Sequence, residues 1–355
     1  MTVTFEDGFD LYATDVNLHS IPGTPWLRQG ASVNNVKVFA NEGRRGTGSL
    51  AAITNINLNQ YMYLPSSAFG TGTNHVRINF AIAAGSTLMS PGRYSMSLTL
   101  NFGGALWSFF FALNGRIQLW TGGALFAETS FSFSSNIYYP VNFFANYNTG
   151  ELDIKVNGVT LFSGTTPSYA GAGLSEVRIG ACAAVPTSGG LYASGTLRLD
   201  DLVISFDGPD LGDDVGVFTL FPDADGTNQD WVPASGANGF DMIDAPPDDT
   251  TAITDFVTGT TNGDLSDFDT PGLASTVFGV AAVSIQSYVQ KTTVAAAEMS
   301  LDLRYNGSIY AGTSKVLSTE YNLETQRFTV NPVTGVPWTP ADLAFIDGLR
   351  LNRTT

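Results

Sequence analysis

The chain has 355 residues, of which 43% are apolar, 14% charged and 12% aromatic, with 38 glycines. At roughly 150 residues per domain the length suits about two domains, and few charges with many glycines and aromatics suit an all-β protein rich in turns. A net charge of −16 argues against a nucleic-acid groove, which needs clustered basic residues, and against anionic lipid.

Cys182 is the single cysteine. It excludes an intrachain disulfide and a thiolate metal cluster, and it reads as a buried structural thiol. No apolar run reaches transmembrane length, and the opening MTVTFEDGFDLY lacks the basic start of a signal peptide.

Phe5–Asp10 reads as a first strand entering a turn. The glycine-rich loop from Gly43 to Leu50 lacks the lysine and spacing of a phosphate-binding loop, so its Arg44-Arg45 pair reads as a solvated turn or a contact for an acidic neighbour. Ile78, Phe80 and Ile82 alternate, as do Leu98, Leu100 and Phe102. Phe109, Phe111 and Leu113 run into Asn114-Gly115, with Ile117 and Leu119 beyond. Val141, Phe143 and Ala145 alternate, then Leu152, Ile154 and Val156, and Asn157-Gly158 turns into Val159 and Leu161. Period-two spacing makes each run a half-buried strand, and Asn-Gly suits the tight turns between them. Val177–Gly180 and Thr196–Ser205 complete an all-β domain over residues 1–207.

An acidic linker follows at 208–216, and a second β-domain spans 217–355. Fifteen aspartates lie between Asp207 and Asp269, and no Lys, Arg or Glu lies between Arg198 and Lys291. Val217–Phe221 is expected as a strand and Asp223–Pro247 as a long loop. Strands are also expected over Phe278–Val289, with Val283, Ile285 and Val289 on one face, at Met299–Tyr305 before Asn306-Gly307, and at Arg327–Val330. Thr339-Pro340 caps a short helix over 340–347, stopped by Gly348, and Leu349–Leu351 closes the sheet. The fold expected is all-β, two jelly-roll-like β-sandwich domains in series.

The order ELDIKVNG, VRIGA, a glycine-rich loop and GTLRLDDLVI resembles the second half of a concanavalin A-like jelly roll of the laminin-G and pentraxin group. That resemblance implies a final strand returning beside the first, marked by Asp200-Asp201. A second resemblance is to structural proteins of tailed-phage virions. It rests on Leu199–Leu202 (LDDL), Thr219–Pro222 with Asp225-Gly226 and Trp231–Pro233, Asp244–Asp249 (DAPPDD) and Asn331–Thr339 (NPVTGVPWT). It implies a tail-fibre, head-fibre or decoration component that binds other virion proteins. Fibres are commonly trimeric, so it implies a homo-oligomer too.

Chemistry has few carriers. The two histidines, His19 and His75, lie near no nucleophile motif, and Glu6, Glu42, Glu128, Glu151 and Glu176 are scattered where a glycosidase needs paired carboxylates. No enzymatic activity and no cofactor are expected. Two further readings are kept: a lectin-like module that recognises a host-surface glycan, and a glycan-degrading enzyme. Trp120, after a hairpin strand, is the candidate glycan contact among the tryptophans and the Tyr138-Tyr139 pair. Asp213, Asp214, Asp248 and Asp249 are the candidate interface residues, facing a basic site on a partner. Asp223–Asp230 faintly resembles a calcium loop without the EF-hand pattern, so Ca²⁺, if taken, would sit among these acidic loops.

Overall fold

The computed structural model describes residues 3–10, 12, 17–21, 23–29, 36–39, 42–44, 49–52, 60–85, 97–112, 115–166, 173–181, 196–235, 238–243, 255–272 and 279–355. It divides into two compact units, residues 1–20 with 25–218, and residues 21–24 with 219–355. The chain is all-β, as its periodicity predicts.

Unit 1 holds β1 (Val3–Asp7), β2 (Leu27–Gln29), β3 (Val36–Phe39), β4 (Ser49–Ala52), β5 (Gln60–Pro65), β6 (His75–Ala84), β7 (Ser97–Phe102) and β8 (Ala105–Phe111). It continues with β9 (Ile117–Thr121), β10 (Ala124–Glu128), β11 (Tyr139–Asn146), β12 (Glu151–Val156), β13 (Val159–Thr165), β14 (Leu174–Ala181) and β15 (Leu197–Phe206). An eight-stranded sheet runs β13-β12-β11-β6-β15-β4-β3, with β1 also on β15. A seven-stranded sheet runs β10-β9-β8-β7-β14-β5-β2. β15 lies antiparallel to β1, the arrangement the jelly-roll resemblance implies.

Alternation sets what faces inward. Val141, Phe143 and Ala145 of β11 meet Val156, Ile154 and Leu152 of β12 in register, and all six are buried. Aromatic rings fill the space between the sheets. Phe143 stacks on Phe102 with centroids 5.7 Å apart, and Phe80 meets Phe109 edge-on at 5.5 Å. Asn157 and Gly158 take φ of 52° and 71°, the left-handed pair that the two-residue hairpin needs.

Unit 2 holds β16 (Ala224–Gln229), β17 (Val232–Pro233), β18 (Val257–Thr258), β19 (Leu265–Asp269), β20 (Val283–Val289), β21 (Glu298–Tyr305), β22 (Ser308–Tyr310), β23 (Lys315–Val316), β24 (Asn322–Phe328) and β25 (Ile346–Arg353). A six-stranded sheet runs β16-β19-β25-β21-β22 with β23 also on β21, and β17-β18 and β20-β24 form two-stranded sheets. Its core gathers Phe268, Met299, Leu301, Leu303, Tyr305, Trp338 and Leu351.

Three local expectations differ from the structure. Val217–Phe221 forms no strand; the Val217 N–H instead donates to Asp201 Oδ1 at 2.8 Å. Within the expected loop, Ala224–Gln229 is strand β16, on the edge of the six-stranded sheet. The helix expected over 340–347 is a 3-10 turn, Pro340–Phe345. Ile346 already belongs to β25, which lies between β19 and β21.

Candidate functional site

The outer face of the eight-stranded sheet is organised by residues that alternation turns away from the core. Asn142 on β11 stands opposite Lys155 on β12 and Asn79 on β6, and Phe144 stands opposite Arg77. On a bare sheet face these polar side chains would meet water, yet Asn79 and Asn142 are only 2% and 5% exposed. The acidic segment 207–217 covers them, as a strap. Asn79 and Asn142 donate their Nδ2 hydrogens to the Gly212 carbonyl at 3.0 and 2.9 Å. Lys155 Nζ pairs with Asp213 at 3.1 Å, and Arg77 pairs with Asp210 at 3.5 Å while lying 4.4 Å above the Phe144 ring.

The strap is pinned at its start by Asp207, whose carboxylate accepts the backbone N–H groups of Thr73, Asn74 and His75. Partial burial alone would raise its pKa, but these bonds hold it at about 2. The His75 ring lies 3.0 Å from the Gly208 carbonyl through Nε2.

Towards its other end the strap reaches Arg44. This guanidinium pairs with Asp214, approaches Asp201 at 3.5 Å and donates to the Val215 carbonyl at 3.4 Å. The Arg44 backbone N–H donates to Asp200 Oδ2 at 2.6 Å. Asp200 and Asp201 are both buried. Burial, then the neighbouring Asp201 charge, pushes the Asp200 carboxyl well above its usual range. The LDDL motif is therefore an internal anchor: one aspartate holds the Arg44 loop and the other holds the end of the strap.

Beside this anchor, Glu42, Arg44, Asn136, Tyr138 and Arg198 surround a cleft of about 630 Å³, within the size range of small-ligand pockets. Leu197 and Leu199 face the core, so period two turns Arg198 outward. Arg198 pairs with Glu42 at 2.5 Å and donates to Asn136 Oδ1 at 3.0 Å. Its Nε is buried and has no hydrogen-bond partner among the described residues. Tyr138 donates its hydroxyl to the Glu42 carbonyl at 2.8 Å, and Ile137, 52% exposed, adds an apolar rim. The cleft can supply guanidinium donors, a carboxylate acceptor, an amide and one aromatic ring.

The residues singled out from sequence are distributed differently. Trp120 lies on β9 of the seven-stranded sheet, partly buried, with Nε1 donating to Gln118 Oε1 at 3.0 Å; it does not line the cleft. Trp107 and Trp338 are core residues, and Trp231 packs against the core of unit 2. Of the adjacent tyrosines, Tyr139 is buried and Tyr138 lines the cleft. Asp213 and Asp214 already face Lys155 and Arg44 of their own unit. Asp248, Asp249, Arg45 and Cys182 lie outside the described residues.

In the calcium-like stretch, Asp225 accepts the N–H groups of Gly239 and Phe240, and Asp230 accepts that of Leu265. Among the described residues no three His, Cys, Asp or Glu side chains gather to hold a metal ion. The cleft itself was not read from sequence, because its members come from 42–44, 136–138 and 198. The Arg44-Arg45 loop and the Tyr138-Tyr139 pair were its only local signals.

No protein-family model matches the chain, and no curated protein matches it. Three solved structures similar to part of it illustrate what is found. Alginate lyase Aly36B is 13% identical over 58% of this chain and 98% of its own, with a TM-score of 0.39. The cellulose induced protein Cip1 is 12% identical over 59% and 100%, at 0.40. A GH131 β-glucanase catalytic domain from Podospora anserina is 8% identical over 61% and 100%, at 0.42. Likeness this low assigns neither family nor activity. Among these similar structures are a lyase and a glucanase, against the expectation of no enzymatic activity.

Proposed function

We propose that unit 1 is a glycan-binding β-sandwich, and that the cleft of Glu42, Arg44, Asn136, Tyr138 and Arg198 takes an acidic sugar. The observation that carries this reading is the pair of arginines, Arg44 and Arg198, lining one cleft. A planar guanidinium suits a carboxylate or sulfate better than a neutral hydroxyl. The Tyr138 ring and Ile137 offer apolar surface for the C–H face of a pyranose, and Glu42 and Asn136 can bond its hydroxyls.

The place on a virus particle, and the partners and trimer that go with it, rest on the sequence motifs alone. On such a particle the cleft would be a receptor site for an acidic host glycan.

The test is calorimetric titration of the whole chain with oligouronates and, in parallel, with neutral cello-oligosaccharides. Binding of the acidic set alone is expected, weakened about tenfold or more in Arg198→Ala. Equal affinity for both sets, or affinity for neither, would overturn the reading. Following the same mixtures for new chain ends separates binding from cleavage, and accumulating ends would make this site an enzyme's.

A further inference from the structure

Two hairpins of this chain close with the same two residues in the same shape. Asn157-Gly158 joins β12 to β13 with φ of 52° and 71°, and Asn306-Gly307 joins β21 to β22 with φ of 50° and 70°. All four residues are exposed. What differs is the glycine amide. The Gly307 N–H donates to Asp347 Oδ2 at 2.7 Å, whereas the Gly158 N–H has no acceptor among the described residues. Gly115, Gly239 and Gly263 also follow an asparagine. They donate to the Ala112 carbonyl, Asp225 Oδ2 and the Arg353 carbonyl at 3.0, 3.0 and 2.9 Å.

That amide decides a covalent reaction. An asparagine deamidates when the backbone nitrogen of the next residue gives up its proton and attacks the side-chain Cγ. The new N–C bond closes a cyclic imide, the Cγ–Nδ2 bond breaks, and the nitrogen takes up a proton and leaves as ammonia. Water then opens the ring at either carbonyl, giving aspartate or isoaspartate. Glycine favours the attack because it has no Cβ to obstruct it. A carboxylate on the N–H opposes it, since that hydrogen bond must be given up and the carboxylate repels the anionic nitrogen. We propose that Asn157 is a modification site of this kind, deamidating in the folded chain, and that Asp347 protects Asn306 from the same reaction.

The site borders the strap. A Cβ at Gly158 would lie 4.0 Å from Asp213 Oδ2, and Asp213 is the partner of Lys155. Conversion of Asn157 therefore adds a carboxylate to the turn beside one that already holds the strap, and the isoaspartate product lengthens the backbone between β12 and β13 by one methylene.

The experiment ages the whole chain in mildly alkaline buffer, folded and in urea, and follows the mass of two tryptic peptides. Residues 156–178 and 305–315 each contain a single asparagine, Asn157 and Asn306, so a gain in mass assigns itself. Asn157 is expected to convert about tenfold faster than Asn306 in the folded chain, the factor that one charge-assisted hydrogen bond sets. In urea the two rates should converge. Asp347→Ala should bring Asn306 up towards the rate of Asn157. Conversion of Asn306 as fast as Asn157 in the folded wild type would overturn the proposal, and so would an Asn157 that survives folding conditions under which the urea sample is fully converted. A difference that persists undiminished in urea would assign it to the flanking sequence and overturn it too. If Asp347→Ala folds and leaves Asn306 as slow as before, the protective role of Asp347 is wrong; if it does not fold, the wild-type comparison still decides.

Discussion

Asp7 shows how one buried carboxylate organises the start of the chain. Its Oδ1 accepts the Phe9 N–H at 2.8 Å, and its Oδ2 accepts the Tyr12 hydroxyl at 2.8 Å and Trp26 Nε1 at 2.9 Å. Phe9 takes φ of 61° to complete this turn, and Tyr12 and Trp26 are almost fully buried. Burial raises the Asp7 carboxyl from 3.8 to about 6 against the opposing pull of these donors. Below 3.8 both folded and unfolded chains carry the proton, so the shift has no effect. Between 3.8 and about 6 the fold keeps a proton that the unfolded chain has lost, so this group's contribution falls as pH rises and is constant above. Asp7→Asn is expected to remove that slope. It should also lower stability by about 1–3 kcal/mol, because an amide cannot accept all three bonds. Urea denaturation of both proteins across this pH range checks it, and an unchanged slope in the variant would sink the account.

The buried acid of unit 2 behaves in the opposite sense. Asp267 is 2% exposed and accepts Arg350 Nε and Nη2 at 2.6 and 3.0 Å, with Asn228 as a further donor. Burial pushes its pKa up, but Arg350 and Asn228 outweigh that and hold it below the usual carboxylate value. Its stabilising contribution is thus present at neutral pH and is lost as pH falls through the lowered value. Arg350→Met should cost about 3 kcal/mol at neutral pH by leaving the carboxylate without its fork. At pH 4 the cost should shrink as the stranded acid takes up a proton. Equal losses at both pH values would show that packing of the arginine stem, not its charge, matters here.

Strands show where local sequence speaks and where it does not. Asn306-Gly307 reads as a turn from its own two residues, and they take φ of 50° and 70°. β16 was hidden because ADGTNQ has no apolar alternation; it pairs at an edge, and Gly226 lets the backbone pass close to Asp267 and Arg304. The strap and the cleft were illegible for a different reason. Arg44 and Asp201 are 157 residues apart in sequence, and no periodicity connects them.

Gly348 tests the same distinction at β25. From sequence it reads as a helix stop, but it lies mid-sheet with φ of 143°, and an added Cβ would sit 2.0 Å from the Phe268 carbonyl oxygen on β19. Gly348→Ala should therefore destabilise unit 2 by about 3 kcal/mol through strand displacement and backbone strain. Gly335→Ala is the comparison: it shares a positive φ, 68°, but meets nothing within 4 Å. Comparable losses in the two variants would show that φ strain alone explains the effect.

Charge is divided unequally across the molecule. Unit 1 carries ten Lys and Arg against fifteen Asp and Glu, and unit 2 carries six against seventeen. Several described aspartates of unit 2 are held by backbone N–H groups. Asp264 accepts those of Thr260 and Thr261, Asp225 those of Gly239 and Phe240, and Asp347 that of Gly307. Asp264 shows why aspartate suits such turns, since its short side chain reaches the main chain of its own turn.

Such hydrogen bonds are short-ranged and little affected by salt, whereas repulsion among unpaired carboxylates is screened by it. Raising NaCl from about 0.05 to about 0.5 M should therefore raise the unfolding temperature of unit 2 by about 3 °C. Unit 1 should gain less, since salt also weakens the ion pairs of Lys155, Arg77 and Arg44 with the strap. Calorimetry of the whole chain, with Gly348→Ala marking the transition that belongs to unit 2, reads both. A unit 2 transition that falls with salt would mean that ion pairs such as Asp267 with Arg350 outweigh the repulsion. A rise specific to Ca²⁺ at matched ionic strength would place a cation among the acidic loops.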